Sequence, residues 1–291
     1  MLFTHKWLAA RIFLIAAILV AGTGCGDRVI RPDATIVREV QSDGYSDRDW
    51  AIVLRDNVRY GLVDYDTLRN NNTPLMRYCA LISVKGPTKT PDQFTGRAQA
   101  TAYYINVYNA LVLRAVLNQP PNTPTMYDYS LPQLEHDYQF PLDGGLVTLA
   151  QVEDNILKSS DGDVRGLLAT SRAAMGTPHL GNEPIRPETL DRQLAEAAGS
   201  ALDLPEILRI DHSTRTIQVW QVILRRQNEF LEYWKSERRV RTAFMFNVLL
   251  ELTSPTKRRA LQSAVGYTFR QTAFDRALNR WERRGDRSVV P

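Results

Sequence analysis

The chain has 291 residues, 44% of them hydrophobic and 23% charged, with a formal net charge of +4. Those proportions are ordinary for a globular protein. Two cysteines exclude a cysteine-rich metal site, and four scattered histidines do not suggest zinc.

Residues 1–24 read as an export signal. Lys6 and Arg11 give a positive start, and Ile12 to Ala21 (IFLIAAILVA) is an uncharged apolar run. That run is shorter than the roughly 20 residues a spanning helix needs. It ends in Gly22-Thr23-Gly24-Cys25, small residues directly before a cysteine. This arrangement resembles the lipobox of bacterial lipoproteins, which implies that Cys25 is acylated and becomes the new N-terminus. Gly22 stands where leucine is commonest. The expected location is the bacterial cell envelope, lipid-anchored. Gly26 in place of an aspartate favours the outer membrane, facing the periplasm. Once Cys25 is acylated only Cys79 remains, so no intrachain disulfide can form.

Charge is uneven along the rest. From Arg225 onward there are 15 Lys or Arg against 7 Asp or Glu, so the last quarter is basic and the remainder acidic. The two parts are expected to neutralise one another. For an exported protein a nucleic-acid partner is not expected.

Residues 25–45 are polar, with Pro32 and Gly44, and read as a flexible tether. A helix is predicted from about Ser46, capped by that serine and carrying Trp50, Val53, Leu54 and Val58. Leu75 to Val84 has helical spacing, with Cys79 in its apolar stripe. Gln99 to Leu117 (QATAYYINVYNALVLRAVL) lacks Pro and Gly and is apolar on nearly every side. A helix of that kind is buried, and its asparagines, arginine and tyrosines argue for a protein core over lipid. Asn106 and Asn109 lie three apart on one face, so both must find polar partners or cost roughly 1–3 kcal/mol each.

Beyond Pro120-Pro121, Phe140 to Val147 reads as a hairpin around Asp143-Gly144-Gly145, and Thr148 to Gln151 as a capping box. That box opens a helix through Leu157, broken by Gly162. A helix is predicted from Pro187 to about Leu202, then a hairpin from Ile207 to Trp220. Val222 to Trp234 reads as one amphipathic, core-facing helix, and Val265 to Phe269 as a strand. The residues after 285 read as a loose tail. The fold class is α+β: a predominantly helical single domain, residues 46–284, around the buried central helix, with short β-hairpins.

Gly61 to Tyr65, Tyr104-Ile-Asn106-Val-Tyr108-Asn109-Ala110, Gly145 with Val147 to Glu153, Glu229-Phe230, and Phe274 to Asn279 follow one another along the chain. Together, in that order, they resemble the domain of unknown function 547 family. Many members carry a segment like His-Phe-x-Leu-x-Cys-x-Ser-x-x-Cys-Pro. Here Gly166 to Pro178 stands in its place, with Ser171 and Thr177 and without the histidine or either cysteine. Any thiol chemistry performed by those residues in relatives is therefore closed to this chain.

Ser171 and His179 lie close in sequence, but no Gly-x-Ser-x-Gly elbow accompanies them. They read as a loop serine and an exposed histidine. Pairing Cys79 with His136 fares no better, given the apolar helical setting of the thiol. Asn106, Asn109, Glu153, Asp275 and Asn279 form the more informative set, each polar beside core-type residues. Asp275 and Asn279 are one helical turn apart and would share a face. The five either build a buried polar network or line a pocket, and the network is preferred. No phosphate loop, dinucleotide fingerprint or metal motif stands out, and no cofactor or metal is expected. Two functional expectations follow. One is a membrane-anchored envelope lipoprotein whose noncatalytic or degenerate domain binds an envelope protein or small ligand. The other is an envelope hydrolase of peptide or amide bonds, with a site near the central asparagines.

Overall fold

The computed structural model describes residues 28–128 and 133–282. The signal segment, Cys25 and the tail after 285 lie outside the described residues. Within them are twelve helices and seven short strands, the strands gathered into two hairpins and one three-stranded sheet, so the fold is α+β and mostly helical.

The stretch expected as a tether is largely folded. Val29 pairs with Gln139 in a parallel bridge, and Ile30 is buried. Asp33 then caps helix α1 (Ala34–Val40), its carboxylate accepting from the N–H groups of Thr35 and Ile36. Ile36, Val37 and Val40 fall on one face and pack with Ala80 and Leu81 of α4 (Thr73–Val84). A single turn of apolar spacing inside a polar segment is easily read as linker.

Helix α2 (Arg48–Asn57) starts two residues later than expected, after Asp47, while Ser46 Oγ accepts from Arg48 N–H. It buries Trp50, Val53 and Leu54. A hairpin not anticipated from the sequence follows, β1 (Val58–Arg59) with β2 (Leu62–Val63). Its turn is Tyr60-Gly61, both left-handed, with φ of 52° and 81°. Asp64 caps α3 (Tyr65–Asn70), and α4 follows.

Helix α5 (Arg97–Leu117) is the expected central rod: 14 of its 21 residues are buried. Strands β3 (Phe140–Leu142) and β4 (Gly145–Val147) form the expected hairpin. Thr148 and Gln151 make both bonds of the capping box that opens α6 (Leu149–Ser159). These elements, with α2 to α4, enclose the larger apolar core. A second core lies beneath the short α7 (Arg165–Leu168), α8 (Leu190–Asp203), and the sheet of β5 (Leu208–Asp211), β6 (Thr216–Val219) and β7 (Thr268–Gln271). In that sheet β6 runs antiparallel to β5 and parallel to β7. The predicted helix over Val222 to Trp234 is broken at Arg226 into α9 (Gln221–Arg225) and α10 (Gln227–Arg238). Helices α11 (Met245–Leu252) and α12 (Pro255–Gln262) complete the second core. No helix among the described residues is long and apolar enough to cross a membrane.

After β7 the chain returns to the first core as an extended strap. Ala277 C=O accepts from Met175 N–H at 2.8 Å, Asp275 C=O from Gly176 N–H at 2.9 Å, and Asn279 C=O from Val63 N–H at 2.9 Å. These non-local bonds replace the helix that the spacing of Asp275 and Asn279 suggested. The two side chains therefore share no helical face. Asp275 is exposed and accepts from its neighbour Ala277 N–H, whereas Asn279 is buried.

Gly61 holds the hairpin against the loop that follows α7. Its C=O accepts from Leu180 N–H at 3.2 Å, and a Cβ there would collide with His179 Cβ. Gly61→Ala combines that collision with a left-handed φ, so unfolding in urea should show a loss of about 1–3 kcal/mol. An unchanged midpoint would mean that the hairpin and the loop move independently.

Candidate functional site

Asn106 and Asn109 project from α5 onto two irregular segments. Asn106 treats Ile185 as a strand would: its Oδ1 accepts from Ile185 N–H and its Nδ2 donates to Ile185 C=O, both at 2.8 Å. Asn109 straddles a residue instead. Its Nδ2 donates to Ala169 C=O at 3.1 Å and its Oδ1 accepts from Ser171 N–H at 2.9 Å. A side-chain amide is the right group here, because it offers a donor and an acceptor to backbone that has no strand partner. The network continues through the strap. Asn279 Nδ2 donates to Ser171 Oγ at 3.3 Å, and Tyr65 OH donates to Asn279 Oδ1 at 2.7 Å. Three of the five residues singled out in the sequence are thus brought together around the segment 169–185.

Glu153, on α6, belongs to a neighbouring cluster. Its Oε1 accepts from Arg172 Nη2 and, at 3.3 Å, from Tyr108 OH. Arg226 and Arg225 approach its other oxygen at 3.6 and 3.9 Å. Burial alone would raise the Glu153 carboxyl, but Arg172, with Arg225 and Arg226, outweighs it and holds the group below its ordinary value. The guanidinium of Arg172 lies 4.4 Å from the centre of the Trp220 ring and 5.5 Å from that of Tyr108. Arg172 was missed in the sequence. The available signal was a lone charge in the otherwise uncharged run from Gly166 to Leu180. Asp275 joins neither cluster.

Above the two central asparagines runs an open groove of about 1090 Å³. Asn106, Asn109 and Ala169 form part of its floor; α2 and the β1–β2 hairpin make one wall, and the loop from His179 to Arg186 with α8 makes the other. Arg55, Arg59, Arg186 and Arg192 line it, with Glu183 and Glu196 among them. Most of these arginines are already matched: Arg55 by Asp56 at 2.8 Å, Arg186 by Asp47 at 3.4 Å, Arg192 by Glu196 at 3.0 Å. Apolar surface comes from Tyr60, Ile185 and Ala197, while Leu54, Val58 and Leu180 are buried behind it. A groove of this size and mixed lining suits an extended ligand better than a compact one.

The reactive side chains considered in the sequence form no nucleophile–base pair among the described residues. Ser171 is buried and its hydroxyl takes the Asn279 bond. Cys79 is buried on α4, and burial pushes its thiol up to about 12, leaving no appreciable thiolate at neutral pH. His136 is exposed, and no hydrogen bond joins it to Cys79. His179 lines the groove, where partial burial lowers its imidazole below the ordinary value and Glu206 opposes that shift. Among the described residues no hydrogen bond links His179 to a hydroxyl or thiol.

The family model described as "Protein of unknown function, DUF547" matches residues 91–200. That span holds α5, α6, α7 and most of α8, and with them Asn106, Asn109, Glu153, Ser171 and Arg172. The stretches at Gly61 to Tyr65, Glu229-Phe230 and Phe274 to Asn279 lie outside it. The hairpin wall of the groove also lies outside it. No curated protein and no solved structure matches the chain.

Proposed function

We propose that this chain is a lipid-anchored protein of the bacterial cell envelope whose folded body binds a ligand without transforming it, in the groove over Asn106 and Asn109. One observation carries the noncatalytic reading. The polar groups nearest the groove floor are spent on architecture: each asparagine amide clamps a loop, and the Ser171 hydroxyl is bonded to the strap. Covalent catalysis needs a nucleophile joined to a base, whereas Ser171 is joined to Asn279 and the Cys79 thiol is pushed away from its reactive form. The anchoring part rests on the sequence, through the apolar run ending at Cys25 and the uncharged Gly26 beside it. The outer membrane, facing the periplasm, is the proposed address.

Each half has its own test. Cys25→Ala should move the protein from the membrane fraction to the soluble one; continued sedimentation with membranes would rule out the lipid. Serine- and cysteine-directed activity probes should leave the soluble Cys25→Ala protein unlabelled, while a thermal-shift ligand screen finds compounds that stabilise it. Labelling of Ser171 or Cys79 that disappears on heat denaturation would instead establish a hydrolase.

A further inference from the structure

We infer that the groove takes an extended acidic peptide, one carboxylate seated on Arg59 and the adjoining residue laid against Tyr60. This deepens the binding function proposed above and rests on it. Arg59 differs from the other three arginines of the groove. It makes no direct ion pair, and the Asp56 carboxylate, bonded to Arg55, acts on it only at longer range; instead its Nη1 donates to Arg55 C=O and Val58 C=O at 2.8 Å, and its Nη2 to Asp56 C=O at 3.1 Å. The carbonyl oxygens at the end of α2 thus fix the guanidinium in place without a directly bonded counter-ion. Three of its five N–H groups are used and two remain for a ligand oxygen.

Tyr60 is next to it and is 91% exposed on the groove wall. Its φ of 52° is a conformation that a bulky side chain avoids and that glycine, asparagine or aspartate would occupy more easily in a tight hairpin turn. A strained, fully presented aromatic at the edge of a cleft points to a contact made outside the chain. The two unused N–H groups of Arg59 are donors, which calls for a ligand that offers acceptors. A uniform polyanion does not fit, because Glu183 and Glu196 also line the groove. A peptide does: it alternates carboxylates with apolar side chains that Tyr60, Ile185 and Ala197 can receive.

The test uses the Cys25→Ala protein and fluorescent octapeptides in which leucine and alanine alternate with glutamate, with glutamine or with lysine. Anisotropy should show the glutamate peptide binding at least tenfold tighter than the other two. Arg59→Gln should remove most of that preference, and Tyr60→Gly should weaken binding severalfold while thermal stability holds or rises. That last combination separates lost contact from lost folding, since glycine suits the turn better than tyrosine. Equal affinity for all three peptides, or an Arg59→Gln protein that keeps the preference, would overturn the inference. Oligogalacturonate binding in place of the peptides, with slowed hydrogen exchange at residues 181–186, would overturn the peptide and leave the groove as the binding site. Unchanged exchange there with every probe, the compounds from the thermal-shift screen included, would defeat both.

Discussion

Glu153→Gln should lower the stability of the folded protein by about 3–5 kcal/mol, because it leaves the Arg172 guanidinium buried without its counter-ion. The two side chains are 1% and 2% exposed, so solvent cannot take over the lost charge. Arg172 already has two nitrogens, Nε and Nη1, without hydrogen-bond partners, and the nearest other carboxylate, Glu135, is 3.7 Å away. Urea unfolding at neutral pH measures the loss directly. The double replacement Glu153→Leu with Arg172→Met should recover much of it, since removing both charges together also removes their desolvation cost. If the single variant is as stable as the parent, the pair contributes nothing.

The same pair sets an acid limit. The native Glu153 carboxyl lies below its ordinary value of 4.5, so the folded state favours the ionised form more than the unfolded chain does. Its contribution is complete above about pH 4.5 and is lost as the pH falls through the lower native value. In Glu153→Gln that part of the acid-induced loss should be missing, and the stability profile between pH 5 and 3 should be correspondingly flatter.

Asn109→Leu is the second large effect. The change strands two buried backbone groups, Ala169 C=O and Ser171 N–H, at about 1–3 kcal/mol for each. Leucine is similar in volume, so the loss would be one of hydrogen bonding more than packing. Hydrogen exchange should locate it, with faster exchange at Ser171, in the loop after α7, before α5 itself responds. Asn109→Asp is a useful control. It keeps an acceptor for Ser171 N–H but sets a carboxylate oxygen against Ala169 C=O, so it should be destabilised too. A stable Asn109→Leu protein that has lost only ligand binding would show that the amide belongs to the site and not to the scaffold.

The parts of this fold that could be read in advance are those encoded locally. Helix α5 announces itself through 19 residues without Pro or Gly, the opening of α6 through its Thr-x-x-Gln box, and the β3–β4 hairpin through Asp143 and Gly144. What was missed depends on partners distant in the chain. The strap from 272 to 281 looked like a helix because Asp275 and Asn279 are four apart, but its backbone is claimed by Val63, Met175 and Gly176. The β1–β2 turn escaped notice because it uses Tyr60 where an asparagine would signal a hairpin. The importance of Asn106 and Asn109 was legible in their burial, while their partners were not. Those partners are main-chain groups of Ala169, Ser171 and Ile185, and no side-chain pattern encodes them.

Helix α1 and the pairing of Val29 with Gln139 bring ordered structure almost to the proposed lipid attachment point. Three peptide steps separate Cys25 from Arg28, a leash of roughly 11 Å at full stretch. On the proposed anchoring, the body therefore rides against the phospholipid headgroups and cannot reach out across the periplasmic space. Whatever it captures must come to the membrane, and lengthening the leash with a glycine-serine insert after Gly26 would change whom it meets without changing what it binds.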